Sequence, residues 1–277
     1  MKNKTFILGI LLLGTTFLWA QELRLMTYNI KYDNTNDTVN NWNDRKETMV
    51  RLIKFHDPHI LGTQEALHRQ TVYLDSSLTD YSYVGVGRDD GKIKGEYTAI
   101  HYNKTKLKLI SSNTFWLSDT PDVVSIGWDA SMERICTYAL FESRTTHTKF
   151  YVFNTHFDHR GVKARERSVQ LILEQIKKVN KEHLPLVLMG DLNLTPEQQP
   201  IKELQSKLMD GMKAAQSPFY GPIGTFNGFD QNRVLTNRID YMFVSDLIVK
   251  AYQHIDDRMQ NNKHISDHLP VLMTIKF

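Results

Sequence analysis

The chain has 277 residues, with 34 Lys and Arg against 31 Asp and Glu, an ordinary apolar content and one cysteine. That length supports a sizeable core, the composition excludes disordered and collagen-like classes, and a lone thiol excludes an internal disulfide. The near balance of charge argues against a strong whole-protein grip on a polyanion, while leaving room for a local basic patch.

Lys2 and Lys4 precede an apolar run from Phe6 to Trp19, and the small residue Ala20 stands before Gln21. A basic start, an apolar stretch too short to span a bilayer and a small residue at its end read as an export signal over residues 1–20. The expectation is a mature chain of residues 21–277, one domain, in the periplasm or outside the cell. Loss of Lys2 and Lys4 brings that chain closer still to neutrality, and no cysteine at the cleavage point offers a lipid anchor.

Leu23 to Ile30 reads as a first strand. Asn43 or Asp44 is expected to cap a helix whose apolar face carries Met49, Leu52, Ile53 and Phe55. His59 to Gln64 is a second short strand ending at Glu65. Tyr81 to Gly87, Tyr97 to Tyr102 and Leu107 to Trp116 read as successive strands of an antiparallel run. Arg134 to Phe141 and Lys149 to Asn154 form another pair, with Cys136 as a buried structural thiol. Val162 to Val179 is the longest helical pattern, with Val169, Leu171, Ile172 and Ile176 inward. Leu186 to Met189 is an apolar run suited to a strand buried on both faces. Thr195-Pro196 is expected to start a helix. Arg238 to Val244, Leu247 to Tyr252 and Leu269 to Ile275 complete a second set of strands. Two groups of mixed strands with accompanying helices imply an α/β fold of two sheets packed face to face with helices outside.

Polar residues gather where these strands end: Asn29, Glu65, His156 followed by Asp158, the pair Asp191 and Asn193, Asp240, and Asp267 with His268. Each alone reads as a cap or turn, and Gly190-Asp-Leu-Asn193 alone reads as an Asx turn. Six such sites in one chain are more than capping needs. In extended geometry Asp191 and Asn193 would leave the same face of their strand. Asn and carboxylate oxygens suit Mg²⁺ or Mn²⁺, and histidines braced by carboxylates can donate to a phosphoryl group. His156-Phe-Asp-His159 only superficially suggests zinc, since zinc hydrolases need more histidines at fixed spacing, and His159 reads as a loop residue. No Gly-x-Ser-x-Gly elbow supports a serine hydrolase.

The motifs Tyr-Asn29, Gln-Glu65, Asn-Thr-His156, Gly-Asp191-Leu-Asn193, Arg-Ile-Asp240-Tyr and Ser-Asp267-His268-Leu-Pro, in this order, resemble the endonuclease/exonuclease/phosphatase superfamily over essentially the whole mature chain. The resemblance implies a four-layered α/β sandwich and Mg²⁺- or Mn²⁺-dependent phosphoester hydrolysis. It implies that Asn29 and Glu65 hold metal, that Asp191 orients or deprotonates the attacking water with Asn193 as its partner, and that His156 and His268 bind phosphate. Asp240 and Asp267 resemble buttressing or metal-proximal carboxylates, with Asp267 assigned to the metal side. On the substrate side, Arg134 resembles a phosphate-contacting arginine, Glu96 a carboxylate supporting the second histidine, and Asp158 a residue that varies among members. The loop from Trp116 to Trp128 resembles a bacterial subgroup, its two tryptophans as suited to packing as to stacking.

The expected substrate is a small molecule or lipid head-group phosphoester. The basic residues around the motifs, Arg134, Arg160, Lys163 and Arg165, are too few to track a nucleic acid. A DNase-like nuclease is the alternative, and an inactive binding module on the same scaffold is a third reading. A monomer needing no protein partner is expected.

Overall fold

A computed structural model describes residues 22–277 of the chain; the expected export signal lies outside the described residues. In chain order the elements are β1 (Glu22–Asn29), α1 (Trp42–His56), β2 (Ile60–Gln64), β3 (Ala66–Leu67), α2 (His68–Ser77), β4 (Tyr81–Val84), β5 (Glu96–Tyr97), β6 (Ile100–Asn103) and β7 (Leu107–Trp116). There follow β8 (Ile135–Ser143), β9 (Lys149–His156), α3 (Val162–Val179), β10 (Leu186–Asp191), α4 (Gln199–Gln205), β11 (Met209–Asp210), α5 (Gly211–Ala214), β12 (Asp240–Ser245), β13 (Ile248–His254) and β14 (Val271–Lys276).

The strands form two six-stranded mixed sheets, β13-β14-β1-β2-β6-β4 and β11-β12-β10-β9-β8-β7, and a small β3-β5 pair. Between the large sheets lies an aliphatic and aromatic layer including Leu25, Ile100, Phe141, Val187, Met242 and Met273. Outside the first sheet, α1 contributes Met49 and Ile53 and α2 Leu74 to a second cluster. Outside the second, α3 contributes Val169, Ile172 and Ile176, and α4 Ile201 and Leu204. This is the four-layered α/β sandwich, and burial on both faces explains why β10 reads as an unbroken apolar run.

Some boundaries differ from expectation. Helix α1 is capped by Asn41, whose side chain accepts from the Asp44 amide. Phe55 is 81% exposed, because it lies two residues beyond buried Ile53, about 200° round the helix. The run from Tyr81 to Trp116 is not one antiparallel meander: β6 pairs with β2 and β4 in the first sheet, whereas β7 pairs with β8 at the edge of the second. Tyr97 leaves that run too, pairing with Ala66. Helix α4 starts at Gln199, not at Thr195-Pro196. The Gln198 side chain takes the Thr195 amide at 2.7 Å, closing a turn ahead of the helix. Cys136 is fully buried, as expected of a structural thiol, and burial pushes its pKa up.

One polar side chain fastens the sheets across the apolar layer. Asn154 of β9 donates to the carbonyls of Thr63 and Ala99 at 3.0 and 2.9 Å and accepts from Gln64 at 2.7 Å. Gly62 makes the space, since a Cβ there would stand 2.5 Å from Met189 and 2.9 Å from Asn154.

Candidate active site

The register of the second sheet creates the site. Asp191, the last residue of β10, is paired with His156 of β9 on one side and Asp240 of β12 on the other. Directly paired residues project from the same face, so three neighbouring strands deliver a carboxylate, an imidazole and a second carboxylate in one row. Gly190 permits this approach: its φ is +143°, and a Cβ there would meet the Thr155 carbonyl oxygen at 1.9 Å. From the first sheet, parallel β1 and β2 end level at Asn29 and Gln64, with Glu65 next in the chain, while His268 lies just ahead of β14. The two sheet ends enclose a cleft of about 440 Å³, lined among others by Lys31, Glu65, Glu96, Arg134, His156, His159, Asp191, Asn193, Asp267 and His268.

The backbone around this cleft is strained. Lys31, Glu65 and Asn193 have φ of +58°, +63° and +49°, the left-handed region that side chains disfavour. At Asn193 the expected extended geometry gives way to a turn, in which its amide donates to Asp191 Oδ1 at 2.9 Å. The Asx turn and the paired functional side chains are thus one feature, because the turn frees Asp191 Oδ2 for the cleft.

Asp191 Oδ2 is the meeting point. Asn29 Nδ2 donates to it at 3.0 Å, His156 Nε2 lies at 3.4 Å and His268 Nε2 at 3.7 Å. Behind His268, Nδ1 donates to Asp240 Oδ2 at 2.9 Å. Behind His156, Nδ1 faces Glu96 Oε2 at 3.8 Å, and Glu96 is held by two hydrogen bonds from Arg88 at 2.6 and 3.0 Å. Asn193 Nδ2 contacts both the Phe157 carbonyl at 3.1 Å and His156 Nε2 at 3.2 Å. With the amide nitrogen donating to both, His156 Nε2 is an acceptor and carries a lone pair.

Electrostatics separate the two imidazoles. Burial disfavours charge on both, but Asp240 and Asp191 hold the His268 pKa up at about 10, so its Nε2 presents an N–H. His156 is pushed well below the ordinary histidine range by burial and then by Arg134 and Arg88. Burial and Asp240 raise Asp191 to about 7 against the pull of His268, which poises a carboxylate to exchange a proton near neutrality. Glu65 is held below its usual range, Lys31 outweighing burial with help from His268.

Two oxygen-rich arrangements invite a cation. Glu65 and Asp267 already flank one, the ammonium of Lys31, at 3.6 and 3.2 Å. Asn29, whose Oδ1 accepts from the Lys31 amide, donates to Glu65 at 3.0 Å beside them. Asp191, Asp240 and His268 also bring one potential ligand atom each within 4.8 Å of one another. In that trio Asp240 Oδ2 is taken by His268, whose raised pKa keeps a proton on the ring nitrogen a metal would need, although Asp240 Oδ1 is buried without a partner among the described residues. The Glu65 and Asp267 oxygens, hard donors at the cleft wall that already hold a cation, with Asn29 Oδ1 directly behind them, fit Mg²⁺ or Mn²⁺ better.

Of the residues singled out in the sequence, Glu65, Glu96, Arg134, His156, Asp191, Asn193, Asp267 and His268 line the cleft, with Asn29 and Asp240 directly behind. Asp158 does not reach substrate space. It is buried, and its oxygens accept from Arg160, Gly161 and Ser131 backbone amides, the Ser131 hydroxyl and Arg134 Nε. These donors outweigh burial and hold its carboxyl well below the usual range; its work is to seat Arg134. Glu96 faces His156, the first of the two site histidines and not the second, and its carboxylate is turned to that ring and to Arg88. Of the basic residues counted toward substrate, Arg165 is buried against the Asp158 carbonyl. Trp116 packs with its ring nitrogen on the Arg88 carbonyl, and Trp128 donates to Asp119.

Three contributors were not singled out as site residues: Lys31, Arg88 and His159. His159 Nδ1 is 3.1 Å from Arg134 Nη2. The guanidinium can only donate, so the ring's proton sits on Nε2. The His-x-x-His spacing held a signal for it, and Lys31 stands two residues after Asn29; no local pattern marks Arg88.

The sequence profile of the Endonuclease/Exonuclease/phosphatase family matches residues 26–268. A mannosyl-6-phosphatase of Bacteroides thetaiotaomicron is 37% identical, with a TM-score of 0.88 over 92% of this chain and 100% of its own. Another protein of that family from the same organism is 36% identical, with a TM-score of 0.88 over 93% of this chain and 98% of its own. An uncharacterised protein of Acanthamoeba polyphaga mimivirus, L388, is 27% identical over 252 residues, 85% of this chain and 92% of its own. The human Nocturnin catalytic domain, 19% identical with a TM-score of 0.73 over 92% of this chain and 94% of its own, shares the fold.

Proposed function

We propose, for a chain that belongs to the Endonuclease/Exonuclease/phosphatase family and is therefore a phosphoester hydrolase, a divalent-metal-dependent reaction on a small phosphoester, with sugar phosphates as the first class to test. The observation that carries this reading is Asp191 Oδ2, a buried carboxylate oxygen faced by Asn29 and by both histidines in one enclosed cleft.

Glu65, Asp267 and Asn29 would hold Mg²⁺ or Mn²⁺, which supplies charge neutralisation for the phosphoryl oxygens. Asp191, fixed by Asn29 and the Asn193 amide, accepts a proton from the attacking water. Imidazolium His268 donates from Nε2 to a phosphoryl oxygen, with Asp240 holding its charge. On the other wall Arg134 supplies the positive charge that neutral His156 lacks, and Arg134 Nη1 is a buried donor with no partner among the described residues. Positioning and fixed charge account for rate enhancement in such a site. The small substrate is supported by the cleft's size, by the few cations lining it and by the mannosyl-6-phosphatase relative.

The test is phosphate release by the purified protein from a panel of sugar phosphates, inositol phosphates, sphingomyelin and plasmid DNA, after EDTA and after Mg²⁺ or Mn²⁺ is restored. Metal-restored release from a sugar phosphate supports the reading. Plasmid nicking at physiological salt with the small substrates untouched would replace the substrate class, and turnover surviving exhaustive chelation would remove the metal.

A further inference from the structure

Lys31 places a cation of the protein's own where a metal is expected. Its left-handed backbone is fixed on both sides: the amide donates to Asn29 Oδ1 at 3.1 Å, and the carbonyl accepts from Arg45 Nη2 at 3.3 Å and Gln70 Nε2 at 3.0 Å. So anchored, the side chain sends Nζ between Glu65 Oε2 and Asp267 Oδ2, at 3.6 and 3.2 Å, with the Tyr32 ring centre 5.0 Å away.

We propose that Lys31 is the resident counter-ion of the metal site, neutralising Glu65 and Asp267 in the metal-free protein and leaving its place between them when a divalent cation binds. The proposal rests on the metal reading above. Two carboxylates with side-chain exposures of only 13% and 9% would repel each other if left without a cation, and their charged forms would be disfavoured. One ammonium offsets most of that cost. A divalent ion on the same oxygens would bring a second cation within a few ångströms of the first, and the two would repel; the other carboxylates of the site, Asp191, Asp240 and Glu96, already face His268 and Arg88. The ammonium can leave without moving the chain, because the backbone is held separately and a flexible four-carbon stem that is 30% exposed has solvent on one side. Metal affinity is thereby lowered and the metal-free fold protected by the same residue.

Calorimetric Mn²⁺ titration and thermal melts in EDTA test this on wild type, Lys31→Met, Lys31→Arg and Glu65→Gln. Lys31→Met should bind Mn²⁺ on the order of tenfold tighter, an ordinary coupling between competitors for one site. It should also melt below wild type in EDTA, with the gap closing at saturating Mn²⁺. Lys31→Arg, which keeps the charge, should melt near wild type in EDTA. Saturable wild-type binding with Lys31→Met no tighter, or Lys31→Arg melting as low as Lys31→Met, overturns the role of Lys31 while leaving the metal site standing. No saturable heat in wild type, or Glu65→Gln binding as wild type does, overturns the metal site and the competition with it.

Discussion

The two walls of the cleft are built alike and charged differently. Each presents a histidine whose Nε2 faces Asp191 Oδ2 and whose Nδ1 is backed by a carboxylate: His268 with Asp240, His156 with Glu96. What differs is the next neighbour. Asp240 is at hydrogen-bond distance and, among the described residues, pairs with no Lys or Arg, so its charge is spent on the ring. Glu96 stands farther off and is committed to Arg88, while Arg134 lies on the same side. One imidazole is consequently a donor with its pKa near 10, and the other presents a lone pair. The lesson is that residue type at a strand end sets which groups can titrate, and their second neighbours decide which way.

The largest effect should come from removing what the walls share. Asp191→Asn keeps the shape but abolishes the proton acceptor, and kcat should fall by roughly 10³-fold in saturating metal, the scale of a lost general base. A folded Asp191→Asn protein with near-normal phosphate release would dissolve the comparison altogether.

Next is the fastening between the walls. Asn154→Leu would remove a donor from the Thr63 and Ala99 carbonyls and an acceptor from the Gln64 amide in the apolar layer; the Thr63 amide still serves Ala99 and Thr27 Oγ1 still serves Gln64, so the cost is about 2 kcal/mol. The midpoint of urea unfolding should drop accordingly; an unchanged midpoint would show that packing alone joins the sheets.

Asp240→Asn sharpens the contrast by making the His268 wall resemble the other. Native His268 keeps its proton to about pH 10, whereas an unfolded imidazole loses it near 6.5. Its charge therefore contributes stability that is complete below pH 6.5 and is lost as pH rises toward 10. With Asp240 neutral, the alkaline limb of the pH–rate profile should move down. Activity should fall by roughly 10²-fold at pH 8 and by less at pH 6; a loss equal at both values would mean that Asp240 acts by packing. The smallest effect is expected from Glu96→Gln, about tenfold in kcat, with that alkaline limb unmoved, since His156 is neutral already. A shifted limb would give Glu96 the role assigned to Asp240.

Much of this was legible in the sequence. Strand β7 and helix α3 have the bounds that the strand reading and the helical spacing put on them, and the strand-end motifs named most of the cleft. What could not be read depended on contacts distant in sequence. Whether β6 and β7 share a sheet is decided by partners on β2 and β8, not by the short turn between them. Lys31 reads as a surface lysine until Arg45 and Gln70 pin its backbone, and Arg88 matters only because the chain returns to set Glu96 beside His156. Asp158 is hidden for a related reason: a carboxylate after a histidine motif reads as functional, and only the loop that folds over it shows every oxygen already taken.

The most direct test of the two-wall account is ring ¹⁵N NMR of the histidines in the metal-free protein between pH 6 and 9, assigned with His156→Gln and His268→Gln variants. The account predicts that His268 keeps an imidazolium signature across the range, while His156 remains neutral with its proton on Nδ1. Both rings titrating together near pH 6.5, or His156 holding the charge while His268 is neutral, would contradict it.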